Sequence, residues 1–343
     1  MEERVNDTPN VDERTEQERL QEALERLERA REAVRRVVVG QEGVIDEVTI
    51  ALLTGGHVLI ESPPGLGKTL LVRTLGTVFG LKLNRIQFTP DLMPADITGT
   101  YVLAGGDQNQ GVRTTFQPGP VFAQMVLADE INRATPKTQS SLLEAMQEGT
   151  VTVMGVEYEL PKPFFVLATQ NPIEMEGTYV LPEAQVDRFF FKVTLDYPSQ
   201  GMLESILDAT TGLEVPEPEP VLGPADVLAL QRWTRDVPIS SELRALVART
   251  ARSTQPELPD AVERVKRYVR YGVSPRGAQA LVLAAKARAL MNGRYNVSLE
   301  DVTAVALPAL RHRLQVNFEG EAAGVEVDDL IAEVIEAVAI TRR

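Results

Sequence analysis

The order of apolar and polar positions divides the chain into stretches with different periods. Residues 1–11 are mostly polar and predict a frayed, disordered tip. From Asp12 to Val38, Leu20, Leu24, Leu27, Val34 and Val38 recur at helical spacing among Glu and Arg, which predicts one long amphipathic helix. Arg31 interrupts that seam, so packing along its own domain is expected rather than a coiled coil. Beyond about residue 40, short apolar runs at Val58–Glu61, Arg85–Phe88, Gln124–Ala128, Phe164–Thr169 and Phe189–Thr194 alternate with helical segments. That alternation predicts an α/β fold, a parallel sheet flanked by helices. Near Tyr197-Pro198-Ser199 the strands stop, a Pro-rich stretch runs from Val215 to Pro220, and everything after Pro224 reads as helix. The expected organisation is a helix and tip at 1–38, an α/β core at 39–198 and a smaller all-α domain at 199–343.

Two inserts break the α/β rhythm. Thr150–Met154 and Val156–Leu160 alternate apolar and polar residues around Met154-Gly155, which predicts a β-hairpin ahead of the strand at Phe164. The other insert is Thr98–Gln117, where two β-prone pieces flank the Gly-rich segment Gly105–Gly111. Hairpins presented by a rigid scaffold suit the gripping of a partner, although plain decoration would give the same pattern.

Composition narrows the choices. Forty-nine acidic against 35 basic residues leave a formal charge of −14, which argues against a large duplex-binding surface. The chain has no cysteine and two isolated histidines, His57 and His312, so neither a disulfide framework nor a zinc site is expected. His57, beside an apolar strand, is expected to be structural. The N-terminus lacks an apolar signal core and no stretch is apolar and long enough for a bilayer span, from which a cytoplasmic protein is expected.

The chemistry begins at Ser62-Pro63-Pro64-Gly65-Leu66-Gly67-Lys68-Thr69, which closes the apolar run His57–Ile60 and opens another at Leu70-Leu71-Val72. Strand, glycine-rich loop and helix in that order are the context of a phosphate-binding P-loop. Its cradle would span Pro64, Gly65, Leu66, Gly67, Lys68, Thr69 and Leu70, with backbone N–H groups and a helix dipole facing phosphate. Lys68 would bridge the β- and γ-phosphates, and Thr69 would place its hydroxyl on Mg²⁺. Ser62 stands where the strict pattern has glycine. The strand Met125–Ala128 ends in Asp129-Glu130, at the sheet edge where ligands of α/β folds bind. Asp129 would hold the Mg²⁺ shell and Glu130 would act on the attacking water as general base; a solvated loop start is the plainer reading. After Phe164–Thr169 comes Gln170-Asn171-Pro172, so Asn171 would orient the water or touch the γ-phosphate, unless it merely forms a turn. Arg188 begins the final strand, too far round the sheet for its own nucleotide. It fits an arginine finger entering a neighbour's site, or a salt bridge to Asp187 or Glu183. Ser274-Pro275-Arg276 opens a long apolar helix, with Ser274 suited to cap it, Pro275 to its first position, and Arg276 fixed where folding over the nucleotide would let it sense the γ-phosphate.

Together, Ser62–Thr69, Asp129–Ala134, Ala168–Pro172, Glu176–Tyr179 with Leu181–Phe189, and Ser274–Arg276 resemble the MoxR family of AAA+ ATPases over roughly residues 37–340. The resemblance implies a P-loop AAA+ core with a helical lid, ATP as the nucleotide, and a homo-oligomeric hexameric ring. It places adenine near Val39, Gly40 and Gln41, a sensor at Asn171, a finger at Arg188 and a second sensor at Arg276. It makes Thr98–Gln117 a helix-2 insert and Thr150–Leu160 a hairpin preceding the sensor strand. It also implies a chaperone that remodels or activates client proteins, often ones with a von Willebrand factor A domain. Two other classes are compatible with the motifs: a motor on nucleic acid, which the lack of Lys and Arg within Thr150–Leu160 disfavours, and a low-turnover nucleotide-gated scaffold, which Glu130, Asn171 and Arg188 disfavour.

Overall fold

A computed structural model describes residues 15–104, 113–172, 177–211 and 217–340. The expected frayed tip and the Gly105–Gly111 segment lie outside the described residues. Among the described residues, nine strands serve the first two thirds of the chain: β1 (Val58–Glu61), β2 (Leu83–Gln87), β3 (Gly99–Ala104), β4 (Arg113–Pro118), β5 (Met125–Asp129), β6 (Thr150–Val153), β7 (Val156–Glu159), β8 (Phe165–Gln170) and β9 (Phe191–Thr194). Five of them form a wholly parallel sheet in the order β2-β5-β8-β1-β9. Their register brings Gln87 beside Asp129 and Glu61 between Gln170 and Thr194. All the strand ends that carry chemistry therefore share one edge, while the amino ends share the opposite edge.

The helices of this region are α1 (Glu16–Val37), α2 (Glu42–Thr54), α3 (Lys68–Val78), α4 (Pro94–Thr98), α5 (Pro136–Glu148), α6 (Glu183–Val186) and α7 (Gln200–Thr210). Helix α1 starts at a capping box in which Thr15 accepts from Glu18 N–H and Glu18 reaches back to Thr15 N–H. It buries Ala23, Leu27, Ala30 and Val34, leaving Leu20 and Leu24 half-buried. Arg31 is buried on this same helix because it pairs with Glu28 and with Asp46 of α2 at 2.8 Å. The helix packs along the body of its own chain, against α2 and α3 and, through Arg26 to Asp226 (2.8 Å), against the C-terminal part.

Strand β9 begins two residues later than its apolar run. The carbonyls of Asp187, Phe189 and Phe190 are taken by one buried guanidinium, that of Arg313 (3.2, 2.7 and 3.1 Å), so they do not join the ladder. The same arginine pairs with Asp187 at 2.8 Å. His312 stands beside it with Nε2 3.0 Å from the Phe189 carbonyl; burial, followed by the Arg313 charge, keeps this histidine's pKa well below the ordinary value, so it is neutral and Nε2 donates. His57 is likewise structural: Val166 N–H donates to Nδ1 (3.1 Å), Nε2 donates to the Met146 carbonyl (2.9 Å), and burial lowers its pKa to about 4.

The C-terminal part is helical: α8 (Pro224–Asp236), α9 (Ser241–Ser253), α10 (Glu263–Tyr268), α11 (Pro275–Met291), α12 (Leu299–Ala304), α13 (Ala306–Leu310), α14 (Phe318–Ala322) and α15 (Val327–Ile340). A small antiparallel ribbon, β10 (Val269–Tyr271) with β11 (Gln315–Val316), adds to the expected all-α reading. Helix α11 is alanine-rich and buries Ala280, Leu281, Ala284, Ala285, Ala287, Ala289 and Leu290, too many directions for a surface helix, so it forms the centre of this domain. Pro275 takes its first position as expected. Ser274 takes the N-cap position in extended backbone as expected, but its side chain makes no capping hydrogen bond and its hydroxyl donates to Asp187 (3.2 Å).

Both inserts are antiparallel hairpins, β3–β4 and β6–β7. The second turns on Met154 (φ 50°) and Gly155 (φ 81°), two positive-φ residues as a two-residue hairpin loop requires. The hairpins are joined: Tyr101 and Tyr158 share a hydroxyl hydrogen bond of 2.7 Å, and Phe116 stacks on Tyr158 with centroids 4.1 Å apart. Phe122 closes the cluster edge-on to Phe116.

Candidate active site

The P-loop, Asp129, Glu130 and Asn171 come together around one cavity of about 260 Å³, lined by Pro64–Leu70 and those three residues. Gly65 (φ 82°) and Gly67 (φ 78°) take left-handed backbone that a side chain resists, which bends the loop back before α3. Ser62 is buried. Its N–H donates to the Gln170 carbonyl (3.2 Å), tying the loop to β8, and among the described residues the non-glycine positive-φ positions are Glu130 and Met154. Ser62 thus needs none of glycine's freedom, and its departure from the strict pattern leaves the loop intact. Lys68 Nζ donates to the carbonyls of Ser62 (3.1 Å) and Pro63 (3.3 Å), which holds the ammonium inside the curl. Thr69 and Leu70 are exposed at the start of α3.

Asp129 is buried at the end of β5. Thr169 donates to its Oδ1 (2.6 Å), and Arg85 donates to its Oδ2 through Nη2 (2.7 Å) and Nε (3.2 Å). Glu130 follows in left-handed backbone (φ 56°, ψ 50°), a conformation that costs a non-glycine residue about 1 kcal/mol and clusters at functional sites. Three contacts fix its direction. Its N–H donates to Thr169 Oγ1 (2.9 Å), and its carboxylate receives Gln87 Nε2 (2.9 Å) and pairs with Arg133 Nε (3.0 Å). One buried hydroxyl, that of Thr169, therefore orients both acids. The pattern of the chain alone assigns no role to Thr169, Arg85, Gln87 or Arg133; the signal for Arg85 and Gln87 is their polar character at alternate positions of the edge strand β2.

Val39, Gly40 and Gln41 flank the loop rather than line this cavity. Gln41 Nε2 donates to the Leu66 carbonyl (2.9 Å), and a Cβ at Gly40 (φ 76°) would stand 2.9 Å from Met202 Cε of α7. Asn171 is buried directly beyond β8 and faces the P-loop cavity.

Arg188 and Arg276 lie elsewhere. They line a second cavity, of about 280 Å³, together with Gly55, Gly56, His57 and Asp187, at the amino ends of the strands. Arg188 Nη1 donates to the Leu143 carbonyl (3.1 Å); among the described residues its guanidinium meets neither Asp187 nor Glu183 as an ion pair. Arg276 is 3.9 Å from Asp187. The expectation that Arg276 folds over this chain's own nucleotide is not met, because Arg313 and His312 pin the helical domain to the Asp187–Phe190 turn. A four-residue strand spans about 13 Å, which separates this edge from the P-loop edge.

The donor set of the first cavity comprises backbone N–H groups at a helix start, an ammonium, a hydroxyl, two carboxylates and a carboxamide. It fits a nucleoside triphosphate with magnesium: Lys68 and the loop for phosphate, Thr69 and Asp129 for the metal. Fold and cavity together define a P-loop nucleotide-binding protein with a helical lid.

Comparison with known proteins agrees. Residues 57–191 match the family model described as ATPase family associated with various cellular activities (AAA), and residues 261–334 match that of the AAA lid domain. The chain is 41% identical over 314 residues to Chaperone MoxR1 of Mycobacterium tuberculosis, covering 92% of this chain and 82% of that protein. It is 32% identical to Protein MoxR of Methylorubrum extorquens, over 92% of this chain and 95% of that one. A crystal structure from Cytophaga hutchinsonii, described as a candidate ATPase, superposes with a TM-score of 0.86 at 38% identity, over 94% of this chain and 96% of that chain. The chain belongs to the MoxR family of AAA+ ATPases. Among the described residues no helix is long and apolar enough to cross a membrane.

Proposed function

We propose that this protein hydrolyses Mg·ATP at sites shared between neighbouring copies of a hexameric ring and uses that cycle to remodel a client protein. The observation that carries the reading is the separation of the two halves of the machinery. Within one chain, Lys68, Thr69, Asp129, Glu130 and Asn171 stand at one sheet edge, and Arg188 and Arg276 stand at the other. Head-to-tail packing of copies joins such edges, and a rotation that closes makes a ring.

In that arrangement the loop N–H groups and Lys68 hold the phosphates and Asn171 orients the attacking water. Glu130, steadied by Gln87 and Arg133, accepts the water's proton as the water oxygen bonds to the γ-phosphorus and the bond from that phosphorus to the bridging oxygen breaks, releasing ADP and phosphate. Bound magnesium, held at Thr69 and Asp129, supplies charge neutralisation for the phosphate oxygens. Arg188 and Arg276 of the adjoining copy place positive charge where charge develops in the transition state, worth about 10³-fold or more in turnover.

The joined hairpins are the part we assign to the client, for which the family resemblance supports a protein carrying a von Willebrand factor A domain. Their tips expose Leu103 and Met154, and Glu157 and Glu159 face solvent, a surface unsuited to phosphate backbones. The reading is tested by Arg188→Ala: ATP binding retained with turnover down about 10³-fold, and wild-type specific activity that rises with protein concentration. Full turnover in Arg188→Ala, or specific activity independent of concentration down to the monomer, overturns it.

A further inference from the structure

We infer that Arg85 is an internal counter-cation for Asp129 that competes with magnesium, so that the metal enters the site by displacing a side chain. The inference rests on the reading of the P-loop cavity as an Mg·ATP site. Its starting point is burial: the Asp129 side chain is 12% exposed, and a carboxylate so enclosed demands a positive partner at every stage of a nucleotide cycle. Arg85 is built to be that partner and to leave. Two of its nitrogens converge on the single oxygen Oδ2, at 2.7 and 3.2 Å, while its side chain is 53% exposed and has open solvent into which to swing. Thr169 meanwhile holds the other oxygen at 2.6 Å and would keep the carboxylate in place during the exchange.

A second contact extends the effect to the base. Arg85 Nη2 also donates to Gln87 Oε1 (2.6 Å), and Gln87 Nε2 donates to Glu130 Oε2 (2.9 Å). Departure of Arg85 from Asp129 withdraws a donor from Gln87 and so loosens the amide that restrains Glu130. The two residues sit at alternate positions of β2, which puts both on one face, with Gln87 in register with Asp129 and Arg85 with Leu127 two places earlier.

A full positive charge a few ångströms from a divalent ion lowers its affinity by about tenfold even with strong solvent screening. The test measures magnesium rather than turnover. Binding of N-methylanthraniloyl-ADP is followed by fluorescence in the full-length wild type, Arg85→Gln and Arg85→Lys, first in EDTA and then over a magnesium titration. Arg85→Gln should need about tenfold less magnesium for half-saturation, while its metal-free nucleotide affinity falls because Asp129 then faces the phosphates uncompensated. Arg85→Lys, which keeps the charge and gives up one contact, should need about threefold less. If Arg85 merely props Asp129, magnesium affinity will fall or stay level in both variants, and that result sinks the proposal; Arg85→Lys decides it should Arg85→Gln fail to fold. Absence of nucleotide binding in the wild type would instead defeat the Mg·ATP reading itself.

Discussion

Removing one hydroxyl, that of Thr169, should damage both stability and turnover. Thr169 is fully buried; its Oγ1 donates to Asp129 Oδ1 at 2.6 Å and accepts from Glu130 N–H at 2.9 Å. Thr169→Val keeps the shape and deletes both bonds. Losing a hydrogen bond to a charged group costs about 1.5–3 kcal/mol, and a buried N–H left without a partner costs about 1–3 kcal/mol. A total near 3–4 kcal/mol, at about 1.5 °C per kcal/mol for a chain of 343 residues, lowers Tm by about 5 °C. Glu130 sits in left-handed backbone that this bond helps to hold. Once released, it should lose its aim, and kcat should fall about 10²-fold with KM for ATP changed little. Differential scanning calorimetry and steady-state ATPase measurements read the two effects, and Thr169→Ser, which keeps the hydroxyl, should recover most of both. Wild-type melting and turnover in Thr169→Val would refute the reasoning.

Other consequences can be measured in the same way. Burial raises the pKa of Glu47 to about 7, with Arg311 opposing and Asp46 adding to the rise. Its folded pKa lies above the unfolded one, so stability falls as pH rises from about 4.5 to 7, and Glu47→Gln should raise Tm at pH 8 while leaving it level at pH 4, the gain being at most about 3 kcal/mol. Asp301 behaves oppositely: burial pushes its pKa up, but hydrogen bonds from Arg294, Ser298 and Arg288 hold it at about 2. Its contribution is present above about pH 3.8 and is lost as pH falls toward 2, and Asp301→Asn should cost about 3 kcal/mol at pH 7 in a denaturant titration, with Arg294 losing its carboxylate and Arg288 keeping only Glu300. Ser62→Gly, which restores the usual P-loop residue, should destabilise by about 0.5–1 kcal/mol and leave ATP affinity unchanged, because Ser62 already holds backbone that any residue adopts.

Much of the site was legible because its parts are contiguous. The P-loop, Asp129-Glu130 and Asn171 each follow an apolar strand directly, and parallel strands deliver their ends to one edge, so local pattern was enough to gather them. What lay hidden depends on register and docking. That Gln87 stands beside Asp129, and Thr169 between both acids, follows from the pairing of β2, β5 and β8, which no single segment encodes. The position of Arg276 depends on Arg313 and His312, two residues of the helical domain whose reach to Asp187 and Phe189 is a tertiary fact. The hydroxyl of Ser274, at the N-cap of α11, reaches Asp187 across the same contact. The coupling of the two hairpins hangs on Tyr101 and Tyr158, 57 positions apart in sequence.

The shared site is tested most directly by mixing inactive subunits. Glu130→Gln has finger arginines but no base, and Arg188→Ala/Arg276→Ala has a base but no arginines; each alone should be inactive. Combined, they should regain a fraction of wild-type ATPase activity set by the proportion of mixed interfaces. Mixed assemblies that form yet stay inactive at every ratio would contradict the account.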